Sequence, residues 1–335
     1  MTIDNYFSSH KSVNPISVNK QDFRIIFMGT PDFAVASLRA LVEGGYQVVA
    51  VVTQPDKPVG RHGSVLQAPP VKVYAQSVGL PVLQPEKMKD EAFVQQLRSF
   101  HADLQVVVAF RMLPEVVWAM PPCGTFNLHA SLLPRYRGAA PINWAIINGD
   151  AETGITTFFL QHDIDTGEII RQERVPIGAE DNVEVVHDRL MMLGADMVLH
   201  TVDDILAGTV TSTPQSHYAE QPTPAPKLFK ENTRIDWTLP ARRIHDFVRG
   251  LSPVPVAWTV LTAPDGTERE VKVYDTRVVP DENLAPGDIY ADARQLLVGT
   301  ADGTLSILSL QMAGKRRMDV RDFLCGFHYV GQRFV

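Results

Sequence analysis

Three side chains have the types and spacing for acyl-group chemistry: Asn127 and His129 in FNLHASLLPRYRGAAP (126–141), and Asp165 in DIDTGEII (163–170). In a strand, side chains two apart share a face. Asn127 and His129 would then sit side by side, with Phe126 and Leu128 turned the other way. An amide can donate to an oxyanion, while an imidazole and a carboxylate can take up and deliver protons, and a tetrahedral intermediate formed by an attacking amine needs both services. No serine or cysteine stands in a recognisable nucleophile elbow, so the set suits direct transfer to an external amine better than covalent catalysis. The same short pattern also fits a strand that merely ends in a hydrogen-bonded Asn and His, and the surrounding elements must separate the two.

Those elements alternate. RIIFMG (24–29) is a short apolar run closed by glycine. A helical stretch follows, with Thr30 expected as its N-cap, Pro31 at the first position and Gly44-Gly45 as the stop. Strands are expected over 46–54, 80–84 and 103–110, separated by helices over 71–79 and 89–102. Strands alternating with helices imply an α/β, Rossmann-like doubly wound domain with a parallel sheet covered on both faces. Ligands bind outside the C-terminal strand ends of such sheets, here Gly29, Thr53-Gln54, Phe110-Arg111 and Asn127–His129. After a helix over 141–150, residues 153–177 read as two strands about a turn at Asp165-Thr166-Gly167. Val186, Leu190, Leu193, Met197 and Ile205 form one helical stripe. Residues 211–226 are proline-rich and polar, the composition of a linker. Beyond them, short strands with Asp-Gly turns and one helical stretch (240–250) point to a small antiparallel, OB-like β-barrel. The expected division is a polar extension (1–22), a catalytic domain (23–210), a linker (211–226) and a barrel (227–335).

Composition narrows the function classes. The chain has 335 residues, 45% hydrophobic and 21% charged, with net charge −7, values ordinary for a soluble enzyme of two domains. No apolar run reaches the roughly 18 residues of a membrane helix, and the first residues lack a signal-peptide core, so a cytoplasmic protein with no membrane partner is expected. Cys123 and Cys325 are the only cysteines, which argues against a disulfide framework or a thiolate metal site. Charge is uneven: residues from Gln221 onward sum to +1 and those before to −8, a hint of a polyanion partner for the second part. The first strand runs into GTPDFA (29–34) and not G-x-G-x-x-G, and neither a phosphate-binding G-x-x-x-x-G-K-[ST] nor H-E-x-x-H occurs. A nicotinamide dehydrogenase is therefore the weaker reading.

FMGTPDFA (27–34), TQPDKPVGR (53–61), FNLHASLLPRYRGAAPINWAIINGDAETG (126–154) and DIDTGEII, in that order, resemble the methionyl-tRNA formyltransferase family, and TRIDW (233–237) with the final barrel extends the likeness to the C-terminus. The resemblance implies transfer of a formyl group from 10-formyltetrahydrofolate to the amino group of initiator methionyl-tRNA, a step of translation initiation. It places the catalytic trio on Asn127, His129 and Asp165. Asn127 would donate to the formyl oxyanion, a protonated His129 would stabilise the same oxygen or serve the leaving N10, and Asp165 would orient and charge the imidazole and help remove the amine proton. An adjacent carboxylate favours the charged ring.

The same resemblance implies a folate site along Ser131, Leu132, Leu133 and Pro134, with the pterin against the backbone of Phe110, Arg111, Met112 and Leu113. Arg61 matches the arginine of the loop that reads the tRNA acceptor end, although only Lys57, Arg61 and His62 supply charge there. AFRMLP (109–114) is one residue shorter than the family's usual segment and is similar to the folate wall of glycinamide ribonucleotide formyltransferases. Lys315, Arg316 and Arg317, together with Arg242, Arg243 and Arg249, are expected to form a basic face for the tRNA backbone. No metal and no obligate protein partner are expected. The competing readings are a sugar-nucleotide N-formyltransferase, a formyl-folate hydrolase and a catalytically dead RNA-binding module, against which the intact trio argues.

Overall fold

The computed structural model describes residues 19–59, 65–279, 284–326 and 330–335. They fall into two compact units. One comprises residues up to Arg137 with Gly154–Val175 and Asp188–Pro224, the other Gly138–Thr153, Pro176–His187 and Ala225–Val335.

The first unit is built on a seven-stranded sheet in the order Ile169–Pro176, Glu152–Phe159, Thr125–His129, Leu104–Val108, Arg24–Gly29, Gln47–Val52 and Val82–Leu83. The five strands from Thr125–His129 to Val82–Leu83 are parallel. They are short apolar runs because both faces are covered by packed elements, and Ile25, Phe27, Val106 and Phe126 are fully buried. At the other edge the sheet turns antiparallel, with Phe126 opposite Phe159 and His129 opposite Thr156. The expected turn between two strands is thus the tip of this edge hairpin.

The helix Asp32–Glu43 begins one residue later than its sequence suggests. Pro31 is its N-cap and makes no side-chain cap bond, and the Thr30 hydroxyl is buried without a partner. Asp32 in the first turn supplies the negative charge that the helix N-terminus favours. By contrast Asp90 caps the helix Glu91–Ser99 with its side chain, accepting from Phe93 N at 3.0 Å. The helix Val183–Leu206 buries Val186, Leu190, Met197 and Ile205 and leaves Met192 exposed.

The second unit is an antiparallel sheet in the order Ile289–Ala291, Leu296–Gly299, Thr304–Met312, Glu268–Val279, Ala257–Thr262 and Arg333–Phe334. A bridge between Asp288 and Arg333 joins the two edges, and Phe334 N donates to Gly287 O at 2.8 Å, which closes the expected barrel. Gly287 is needed at that seam. Its φ is +82°, and a Cβ there would lie 2.2 Å from Phe334 O. The helix Ala241–Leu251 buries Ile244, Val248 and Leu251 against the barrel core of Val273, Ile307 and Leu310.

Arg249 does not belong to a basic face. It is 6% exposed, with Nε donating to Asp246 at 2.7 Å and Nη1 to the Asp181 carbonyl at 2.7 Å. Arg242 reaches the same carboxylate at 2.9 Å, and Arg243 donates to Asn148 O at 3.2 Å. The buried carboxylate of Asp246 demands these cations, because an unpaired buried charge is costly. Replacing one partner of a buried pair costs about 3 kcal/mol, so Arg249→Met should lower the urea-unfolding free energy by that amount. A loss under about 0.5 kcal/mol would mean that Arg242 alone satisfies Asp246.

Candidate active site

Parallel pairing brings the C-terminal strand ends into line: Gly29 lies opposite Val108, Val107 opposite Asn127 and Val108 opposite Leu128. Asn127 is flanked on its other side by Phe158. Its Oδ1 is buried and has no hydrogen-bond partner. Leaving a buried polar atom unpaired costs about 1–3 kcal/mol, a cost a fold tolerates where a ligand completes the bond.

His129, 6% exposed, stands on the same face two residues on. Its Nε2 lies 2.8 Å from the Tyr136 carbonyl oxygen, and since a carbonyl can only accept, Nε2 carries the proton. The ring also meets Phe158 edge-on, centroids 6.4 Å apart. What remains is Nδ1, which faces the Asp165 carboxylate at 3.8 Å. That distance is beyond a hydrogen bond and within strong electrostatic reach. Asp165 comes from the hairpin tip and holds φ at +54°. The structure therefore brings Asn127, His129 and Asp165 together, although Asp165 is remote from the other two in the chain.

The 131–134 loop is fixed by residues the sequence did not flag. Thr156 Oγ1 donates to Ser131 O at 2.7 Å, and Gln172 Nε2 donates to Leu133 O at 2.9 Å and to Thr156 Oγ1 at 3.0 Å. Ser131 Oγ donates to Arg135 O at 2.7 Å. Ser131 and Leu133 are buried, Leu133 against Phe158 and Ile169, and Leu132 and Pro134 are buried as well. A ligand in this loop would meet mainly backbone.

In the neighbouring segment, Met112 is exposed, Phe110 is half-buried and Leu113 belongs to the core with Val107 and Val117. The Arg111 guanidinium donates to the carbonyls of Pro85 and Glu86. Burial holds its pKa below the usual arginine value, and its task here is to brace the strand end. Asp56, at the next strand end, accepts from Lys72 at 2.8 Å and Gln84 at 2.7 Å. The Gln84 and Lys72 bonds keep that carboxyl below its ordinary pKa. It anchors the root of the hairpin Lys57–Val59 and Val65–Gln67. Arg61 and His62, between those strands, lie outside the described residues.

In the second unit Lys315 and Arg316 are exposed at a turn. Arg317 is partly committed, with Nε donating to Ser309 Oγ at 2.9 Å and the guanidinium 4.4 Å from the Tyr274 ring centroid. Among the described residues no group of three or more His, Cys, Asp or Glu side chains could hold a metal ion, and no helix is long and apolar enough to cross a membrane.

Comparison with known proteins agrees with this architecture. The formyl transferase model matches residues 23–202 and the formyl transferase C-terminal domain model residues 227–328; the chain belongs to the formyl transferase family. More particularly, it is 60% identical over 323 residues to the methionyl-tRNA formyltransferase of Parabacteroides distasonis, covering 95% of this chain and all of that one. It is 62% identical over 315 residues to that of Phocaeicola vulgatus, covering 92% and 97%. Among solved structures, a sugar 3N-formyl transferase with dTDP and 5-N-formyl-THF superposes with TM-score 0.63 at 16% identity, covering 88% of this chain and 99% of that one. An N-formyltransferase from Helicobacter canadensis with folinic acid and dTDP-3-aminofucose gives TM-score 0.61 at 17% identity, covering 88% and 100%. These two share the fold.

The Asp165 loop leaves no room at Gly167, where a Cβ would lie 1.6 Å from Phe159 O. Gly167→Ala should therefore push the loop off the strand and cost about 2 kcal/mol, read as a lowered urea midpoint together with slower turnover. Wild-type stability in this variant would contradict the close approach.

Proposed function

We propose that this chain transfers the formyl group of 10-formyltetrahydrofolate to the amino group of initiator methionyl-tRNA, and that Asn127, His129 and Asp165 carry the chemistry. The observation behind the reading is a histidine whose one uncommitted nitrogen faces a carboxylate at 3.8 Å, two residues along the same strand face from the Asn127 amide. The methionyl-tRNA formyltransferases at about 60% identity over nearly the whole chain support the tRNA substrate over a sugar nucleotide, since the sugar N-formyltransferases share only the fold.

The reaction forms a bond from the amine to the formyl carbon, breaks the bond to N10, and moves one proton from the amine to N10. Asn127 donates an amide N–H to the formyl oxygen as it gains charge. His129, with Nε2 committed to Tyr136 O, donates from Nδ1 toward the same oxygen. Asp165 balances the imidazolium and accepts the amine proton, directly or through water, for return to N10. Donors of this kind, already oriented in a water-poor site, cost no reorganisation during the step. The 131–134 backbone and the 110–113 segment hold the folate, and Arg61 takes the acceptor end of the tRNA.

Incubating the protein with 10-formyltetrahydrofolate and methionyl-tRNA should give formyl-methionyl-tRNA. Formate release without an acylated amine would instead indicate a hydrolase. Asn127→Ala and His129→Ala should each slow single-turnover transfer by about 10²- to 10³-fold with the fold retained; a folded His129→Ala protein keeping more than about a tenth of the rate would sink the assignment.

The barrel is proposed to contact tRNA through Lys315, Arg316 and Arg317. Each phosphate contact removed flattens the dependence of log affinity on log salt by roughly one unit. With Arg317 partly held by Ser309 and Tyr274, the Lys315→Ala, Arg316→Ala, Arg317→Ala triple variant should lose about two units of slope and bind formyl-folate as wild type does. Parallel lines with equal affinity would remove this run from the tRNA surface.

A further inference from the structure

His129 and Asp165 sit on separate segments, and each segment departs from ordinary backbone geometry. The residue that accepts from His129, Tyr136, has φ at +61°, and Asp165 has φ at +54°. Side chains with a Cβ hold this left-handed region only where their surroundings impose it.

One buried side chain bridges the two segments. Gln215, 6% exposed, lies in the short helix Gln215–His217 of the segment whose composition reads as a linker. Its Nε2 donates to Asp165 O at 2.8 Å and to Gly167 O at 2.9 Å. Its Oε1 accepts from Arg137 Nη2 at 2.6 Å and Arg137 Nε at 3.1 Å. Carbonyls only accept and a guanidinium only donates, so the amide's orientation is fixed and both its N–H groups are used. Arg137 directly follows Tyr136, and Thr223 accepts from both their backbone amides, through Oγ1 for Tyr136 and through O for Arg137, each at 2.9 Å.

We infer that Gln215 is a positioning residue, which ties the Asp165 loop to the Tyr136–Arg137 segment and thereby sets the separation of His129 Nδ1 from the Asp165 carboxylate. It touches neither side chain of that pair. Its effect runs through the carbonyls of Asp165 and Gly167 on one side and through Arg137 on the other. The inference rests on the formyl-transfer reading of the site.

The test uses Gln215→Met, which keeps size and removes every hydrogen bond, and Gln215→Glu, which still accepts from Arg137 but turns a carboxylate on two carbonyls. A misplacement on the order of 1 Å costs about 10²-fold in rate. In both variants kcat for formyl-methionyl-tRNA should fall about 10- to 100-fold. KM for 10-formyltetrahydrofolate should stay within about threefold, because Thr156 and Gln172 hold the 131–134 loop without Gln215. Amide exchange over residues 163–168 should quicken. A merely structural role would lower the folded fraction and leave kcat per folded molecule alone. Should neither variant fold, Arg137→Lys at its half-buried position breaks the same link and should also lower kcat at constant KM.

Variants with kcat within about twofold of wild type and unchanged exchange at 163–168 would overturn the inference. A wild-type protein that forms no formyl-methionyl-tRNA would overturn the reading of the reaction instead, and the exchange data would still decide whether Gln215 holds the loop.

Discussion

The ring of His129 has one orientation, and much of the first unit serves to keep it. Its Nε2 is spent on the Tyr136 carbonyl, its ring packs T-shaped against Phe158, and its strand is paired on both sides, with Leu104–Val108 and with Glu152–Phe159. A histidine free to turn could offer either nitrogen to a substrate. This one offers Nδ1, and the Asp165 carboxylate is aimed at that atom. The amide of Asn127 shares the face because a strand repeats every two residues, so one backbone register sets both donors at once.

The antiparallel edge supplies the third group of the site. Because Glu152–Phe159 runs antiparallel to Thr125–His129, the loop after Phe159 emerges beside Thr125 and Phe126 and folds back to bring Asp165 to within 3.8 Å of His129. The two strands of this edge hairpin, Glu152–Phe159 and Ile169–Pro176, deliver side chains to the 131–134 loop: Thr156 to Ser131 O and Gln172 to Leu133 O. Gly167 then lets the tip fold against Phe159. In the barrel, the closing bond from Phe334 N to Gly287 O relies on glycine for the same reason, since two backbones approach where no side chain fits.

The alternation of strands and helices, the barrel, and the pairing of Asn127 with His129 were legible because each follows from a short-range period. Asp165 was legible as a carboxylate at a turn beside the sheet edge, whereas its role beside His129 came through family resemblance, since nothing local ties residue 165 to residue 129. Gln215 left no signal at all. Its neighbours Thr213, Pro214 and Ser216 read as a tether, whereas Thr213 pairs its backbone with Ile169 and Gln215 is buried. Thr30 has the residue type of a cap, yet Pro31, with extended backbone at φ −78° and ψ 177°, stands at the N-cap position. Arg249 reads as a surface cation in the sequence because its partner, the buried Asp246, is recognisable as buried only once the helix Ala241–Leu251 is packed.

The commitment of His129 Nε2 to a backbone carbonyl can be read directly from the ring nitrogens of protein labelled with ¹⁵N-histidine. Correlation spectra of wild type, with His129→Ala used for assignment, should show a proton bound to Nε2 of His129 that exchanges slowly with water, leaving Nδ1 as the nitrogen that responds when formyl-folate is added. An Nε2 that carries no proton, or that shifts on ligand binding while Nδ1 does not, would contradict the account.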